Sequence, residues 1–321
     1  VVGDASEIFI VGSPRSGTTL MARVLNEFPD VWIGNETGFV PHLFRPGSEP
    51  GPDWDDRRLA ELLDAVNSYL RTESWPSLAS VDGVRRFWST TGTRDYAALI
   101  RYVWSLDGAV GAKGAVVVGD QTPAYVLAMP LLEQLFPRAR FVHIVRDPRD
   151  VVASVVPLRF WSKSVGVAAA DWNECIAGWW AAERRIPPER RIEVRYEDLV
   201  SDPQSTRERL AGFLHTSVPA GGLAGEPLTY PSRVAPLPPH HRRLAEPIDD
   251  SSVGRHRSDL SKRERGIVEA ITYAGLRTYG YEVGPYRPSP VLREDAALLT
   301  RWRVQDLQRR VFGAVTRRWQ D

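Results

Sequence analysis

Arg15, Ser16, Gly17, Thr18 and Thr19 stand in a row and offer a guanidinium, hydroxyls and glycine-freed backbone N–H groups to one ligand. That set suits an anion with several oxygens, because each group donates hydrogen bonds and glycine lets the anion approach the main chain closely. Ahead of them, Ile8 to Val11 form a short apolar run closed by Gly12, which predicts a buried parallel strand. Behind them, Leu20, Met21, Val24 and Leu25 recur at helical spacing with no Gly or Pro before Pro29. The order strand, Gly-bounded loop, helix would aim the unpaired N–H groups of a helix start at the same anion. Gly12 and Gly17 keep the spacing of the phosphate-binding pattern G-x-x-x-x-G-K-[ST], but Thr18 stands where that pattern has Lys. Cation and hydroxyls exchange places, and nothing in the loop asks for Mg²⁺. Taken alone, PRSG also reads as an ordinary strand-to-helix turn.

A second cation is placed by its neighbours. Phe141 to Val145 predict another apolar strand that runs into RDPRDVVASVV, with Arg146 at its carboxyl end, Asp147 able to cap and Pro148 suited to a first helical turn. Ligands of open parallel sheets sit outside the carboxyl ends of the strands, so Arg146 and the Gly12 to Thr19 loop are expected to face one crevice.

PRSGTTLM followed by FPDVWIGNET resembles the 5′-phosphosulfate loop of the sulfotransferases, most closely the tyrosylprotein sulfotransferases and their bacterial relatives. The resemblance implies 3′-phosphoadenosine 5′-phosphosulfate as sulfuryl donor, adenosine 3′,5′-bisphosphate as product, and no metal. It implies that Arg15, Ser16, Gly17, Thr18 and Thr19 hold the 5′-phosphosulfate. Arg146 and Ser154, in the family pattern R-D-P-R-x-x-x-x-S, would read the 3′-phosphate, with Arg255 of SSVGRHRSDLSKRE closing over it and Arg257 and Ser252 nearby. Tyr196, in VRYEDLVSDP, would lie beside the adenosine, with ordinary burial as the equal alternative. Glu36 occupies the position of the family's general base, a role that suits a hydroxyl becoming more acidic as it attacks sulfur.

Two positions depart from that pattern. Gln121 stands where many sulfotransferases carry a Lys that assists transfer; an amide donates hydrogen bonds but brings no charge, which leaves more to Arg15. Gly38 stands where the family has an Arg, a lost substrate-side contact that weighs against a tyrosyl-peptide acceptor.

The chain has 321 residues, room for a large α/β core without disulfide staples, and its 41 basic and 40 acidic residues predict no general attraction to nucleic acid. The single cysteine, Cys175, excludes an internal disulfide and reads as a small core residue. No apolar run approaches the roughly 20 residues of a membrane span, and VVGDASE lacks a signal-peptide core, so the expectation is a soluble, cytoplasmic protein.

The expected fold is a P-loop-like three-layer α/β/α sandwich around a central parallel sheet. Residues 1–285 would form the catalytic domain, with 41–115 as a variable acceptor-side or lid region, and 286–321 a basic amphipathic helical extension. Within 41–115, helices are marked by Leu59, Leu62, Leu63, Val66 and Leu70 and by Tyr96, Leu99, Ile100, Val103 and Trp104, while Trp54, Trp75, Trp88 and Trp104 either line an acceptor pocket or fill the core. In the C-terminal extension, Leu298, Trp302, Leu307, Val311, Val315 and Trp319 suit packing on the domain, a second subunit or a membrane surface.

The reading favoured by these residues is sulfuryl transfer to a hydroxyl or amine of a small-molecule, carbohydrate, lipid or peptide acceptor. Its rivals are a small-molecule kinase or nucleotide hydrolase, for which Asp120 would have to hold a metal, and a non-catalytic protein that binds the same nucleotide, suggested by Gln121.

Overall fold

The structure is a computed structural model and describes residues 6–47, 53–73, 75–107, 114–158, 164–219 and 248–284. Five parallel strands form one sheet: β1 (Ser6–Gly12), β2 (Val31–Ile33), β3 (Val117–Asp120), β4 (Arg140–Val145) and β5 (Arg191–Arg195), in the spatial order β2-β3-β1-β4-β5. In chain order the helices are α1 (Thr18–Asn26), α2 (Val40–Leu43), α3 (Asp56–Thr72), α4 (Val81–Thr91), α5 (Tyr96–Ser105), α6 (Met129–Leu135), α7 (Pro148–Val155), α8 (Val165–Glu183), α9 (Tyr196–Ser201), α10 (Pro203–Leu214), α11 (His256–Asp259), α12 (Lys262–Ile271) and α13 (Tyr273–Thr278).

Strand β1 is central, and its alternation explains the layers. Ile8 and Ile10 join α1, α9 and α10 on one face through Met21, Val24, Leu199 and Leu210. Phe9 and Val11 join α3, α4, α5 and α8 on the other through Leu63, Trp88, Trp104 and Trp179. A strand covered on both faces has no side left for polar residues, which is why β1 reads as an unbroken apolar run. The result is the expected sheet between two helical layers. Among the described residues no helix is long and apolar enough to cross a membrane.

Backbone contacts are close at two glycines. A Cβ on Gly12 would lie 2.4 Å from the Ile144 carbonyl, so only glycine lets β1 end tightly against β4. Helix α4 is an element the sequence concealed: its VDG start reads as a turn, yet the Ser80 side chain accepts from Gly83 N and a Cβ on Gly83 would strike the Tyr102 hydroxyl at 2.0 Å. The apolar positions Ile267, Ile271 and Leu276 lie on two helices, α12 and α13, parted at Thr272. Strand β5 stops at Arg195, and Tyr196 opens α9.

Trp88 and Trp104 are fully buried in the core, with the Trp104 ring 5.7 Å from Phe9, so they do not line a pocket. The segments with His240 to Arg243, with Phe160 and Trp161, and the whole of 286–321 lie outside the described residues.

Candidate active site

The loop between β1 and α1 is shaped by two residues in left-handed conformation, Arg15 at φ 69° and Gly17 at φ 101°. Ser16 N bonds back to the Ser13 carbonyl at 3.1 Å, and α1 starts at Thr18 with Gly17 as its cap. Gly17 has no side chain to offer. Among the described helices of eight residues or more, α1 alone lacks a side-chain cap; Asp55, Ser80, Asp95, Asp147, Ser164, Asp202 and Ser261 cap the others. A buried helix start left without a capping side chain keeps its N–H groups for a ligand. Ser16 Oγ is buried there with no partner among the described residues.

Strand β4 brings the second half of the site to this loop. Asp147 caps α7 by accepting from Arg149 N at 2.8 Å and Pro148 occupies the first turn, as its sequence suggests. Arg146, 6 % exposed, lies just before this cap and reaches back across the sheet. It donates to the Arg15 carbonyl at 3.2 Å and to the Ser252 carbonyl at 2.6 Å, while its Nε is buried with no partner among the described residues. Its guanidinium carbon lies 4.3 Å from the centre of the Tyr196 ring, and the Tyr196 edge is where a Cβ on Gly17 would stand, 2.6 Å from Cδ2. Tyr196 therefore wedges the loop and the arginine into register. Trp172, foreseen as core, is buried and also holds the Arg146 carbonyl through Nε1 at 3.1 Å.

Arg146 and Arg255 both act on Arg15. The Arg15 guanidinium is held below its ordinary value, first by burial, then by Arg146 and Arg255, against the pull of Glu36. Cations gathered into mutual repulsion are stabilised by a multivalent anion more than by any neutral ligand. Arg255 is also paired with Asp259 at 2.6 Å.

Glu36 lies past the end of β2. Its backbone carbonyl accepts from Trp75 Nε1 at 2.8 Å, which fixes the turn. Its carboxyl is pushed up to about 8, first by burial and then by Glu73 and Asp120, with Arg15 opposing. Next to it, Thr37 ties this turn to β3: its N–H donates to Thr122 Oγ1 at 3.1 Å and its hydroxyl to Asp120 Oδ2 at 2.5 Å. The other Asp120 oxygen accepts from Thr122 N and Oγ1 at 2.7 and 2.6 Å. Gln121 follows, 1 % exposed, with Oε1 lacking a partner among the described residues.

The chain thus gathers Arg15, Ser16, Gly17, Thr18, Thr19, Arg146 and Ser154 at the carboxyl ends of β1 and β4, Tyr196 at that of β5, and Glu36 and Gln121 at those of β2 and β3. Sequence reasoning missed Glu73, Asp150 and the Ser252 carbonyl. A carboxylate near a helix end carries no motif, and a carbonyl's partner depends on tertiary contact.

The chain is similar to several known proteins. Residues 7–220 match the family described as "Sulfotransferase family". The chain is 26 % identical over 218 residues to protein-tyrosine sulfotransferase A of Caenorhabditis elegans, covering 64 % of this chain and 49 % of that one. It is 26 % identical over 333 residues to nodulation protein NoeE of Sinorhizobium fredii, covering 95 % and 72 %. The sulfotransferase domain from the Synechococcus PCC 7002 olefin synthase superposes with a TM-score of 0.52 at 19 % identity, covering 88 % and 97 %, and shares the fold. The chain spans 37 to 64 % of the length of the first protein-tyrosine sulfotransferases it matches. A match running through the loop, Glu36, Arg146 and Tyr196 in one continuous block means that this chain belongs to the sulfotransferase family.

Proposed function

We propose that the protein transfers a sulfuryl group from 3′-phosphoadenosine 5′-phosphosulfate to an acceptor hydroxyl or amine. The observation that carries this reading is Arg146 bonded to the Arg15 carbonyl just ahead of the α1 start, which has no capping side chain, with the Glu36 carboxyl and Arg255 close enough to act on Arg15. Ser16 Oγ and Arg146 Nε, both buried and without a partner among the described residues, suit the phosphate oxygens of that donor.

In this reading Ser16, Gly17, Thr18 and Thr19 hold the 5′-phosphosulfate, and Arg146, Ser154 and Arg255 hold the 3′-phosphate, with Tyr196 fixing both. Glu36 takes the acceptor proton as the acceptor oxygen or nitrogen bonds to sulfur. The sulfur–oxygen bond to the 5′-phosphate breaks, and Arg15 with the α1 N–H groups meets the charge left on that phosphate oxygen. Gln121 donates hydrogen bonds where a cation would otherwise stand. Gly38 leaves open the place of a substrate-side arginine, which favours small-molecule, glycan or lipid acceptors over acidic tyrosyl peptides.

The kinase alternative loses its metal ligand, because both oxygens of Asp120 are engaged by Thr37 and Thr122 in the core. Incubation of the protein with the donor and a fractionated metabolite and glycan panel tests the proposal. The expected result is formation of adenosine 3′,5′-bisphosphate together with an acceptor heavier by one SO₃. ATP-dependent phosphorylation without sulfation would overturn it, and tight bisphosphate binding without turnover on any acceptor would reduce the protein to a nucleotide-binding one.

A further inference from the structure

Asp150 is 1 % exposed and lies in the first turn of α7, yet the chemistry above gives it no task. All its acceptor capacity is turned on one distant stretch of chain. Oδ2 accepts from Gly254 N at 2.7 Å, and Oδ1 accepts from His256 N at 2.9 Å and lies 2.7 Å from His256 Nδ1. Burial works against the charge, but the bonds from His256 and Gly254 and the field of Arg146 outweigh it and hold the carboxyl below its usual range. Arg255 lies between the two anchored residues. Two positions before Gly254, the Ser252 carbonyl receives Arg146. The strap 252–256 is therefore fastened at both ends to the junction of β4 and α7, once through Arg146 and once through Asp150.

We propose that Asp150 is a positioning residue that latches this strap over the donor site and thereby sets the preference for a nucleotide carrying a 3′-phosphate over one without it. The assignment rests on the donor reading given above. Both groups that the latch places, the Arg146 guanidinium and Arg255, belong to the 3′-phosphate end, whereas the 5′ end is built by the loop before α1. Loosening the strap then costs affinity at one end of the ligand only.

Calorimetry on the full chain with adenosine 3′,5′-bisphosphate and with adenosine 5′-monophosphate tests this. Asp150→Asn removes a charged acceptor from three donors and should weaken the bisphosphate about tenfold while changing the monophosphate less than about twofold. His256→Gln keeps both backbone bonds and should fall between wild type and Asp150→Asn, which guards against a variant that simply folds badly. Donor KM should rise while kcat at saturation holds. Equal losses for both nucleotides, or none, would overturn the latch while leaving the donor reading in place. Wild type that binds neither nucleotide would remove the donor reading and the latch together.

Discussion

Arg15 Nε donates to the Ser154 hydroxyl at 3.2 Å, joining residues 139 apart in the chain. One belongs to the loop before α1 and the other to the last turn of α7. In the donor reading they serve opposite ends of the nucleotide, so the bond makes one continuous polar floor of two pockets. It also uses the nitrogen that a lysine lacks.

Arg15→Lys keeps the charge but loses Nε and the planar fork, and should lower kcat/KM by about 10²- to 10³-fold. Ser154→Ala, which removes one neutral hydrogen-bonding group, should cost about tenfold, expressed in donor KM. Steady-state kinetics with the bisphosphate as product readout separate these. Equal activity of Arg15→Lys and wild type would show that Arg15 acts only as a distant charge.

In the donor reading, Glu36 links activity to pH with a definite sign. A base with its carboxyl raised to about 8 works only when deprotonated, so kcat/KM should climb with pH and level off above about 8. Glu73 pushes that value up, and Glu73→Gln should move the rising limb to lower pH. An unmoved limb would mean that another group controls it.

The same shift predicts an inverse effect on stability. Because the folded value lies above the ordinary 4.5, wild type loses stability as pH rises from about 4.5 through about 8. Glu36→Gln carries no such loss. Its melting temperature should equal that of wild type below the window and exceed it increasingly across the window, while transfer activity collapses.

Gln121→Lys would restore a cation at a position that is 1 % exposed. A buried, unpaired ammonium is costly, so the free variant should melt below wild type. Bound donor supplies the missing counter-charge, so transfer should accelerate by about tenfold and the melting deficit should shrink with bisphosphate present. Scanning calorimetry with and without nucleotide, beside single-turnover rates, checks both. A faster free-protein loss with no gain in rate would show that the amide has taken on the transfer role.

Gly17→Ala should be more damaging than its size suggests. The residue sits at φ 101°, and its Cβ would meet Tyr196 Cδ2 at 2.6 Å. Strain and overlap together should destabilise the protein by about 2 kcal/mol or more. Tyr196→Leu on that background removes the overlap but not the strain, so denaturant unfolding should show partial recovery. Full recovery would mean that the left-handed backbone carries no penalty here.

The sheet was legible because β1 and β4 are covered on both faces and so advertise themselves as apolar runs. The loop and Arg146 were legible because glycine spacing and a strand-end position are local properties. Trp104 was ambiguous for the opposite reason: periodicity puts it on a helix face but does not say whether protein or ligand covers that face, and the Phe9 ring settles it. Helix α4 was hidden by Asp82 and Gly83, residues that favour turns, because the reason for glycine there is the Tyr102 hydroxyl arriving from another helix. Glu73 and Asp150 were invisible for a related reason, since their partners come from segments that only the folded chain brings near.

The direct pairing of β1 with β4 has a consequence for how the protein matures. Gly12 reaches its partner Ile144 only once more than a hundred intervening residues have been accommodated, so no early fragment joins the two halves of the proposed cradle. In the donor reading, a chain that stops before β4 carries the loop without Arg146, and the bisphosphate should be retained only by molecules in which β1 and β4 have paired.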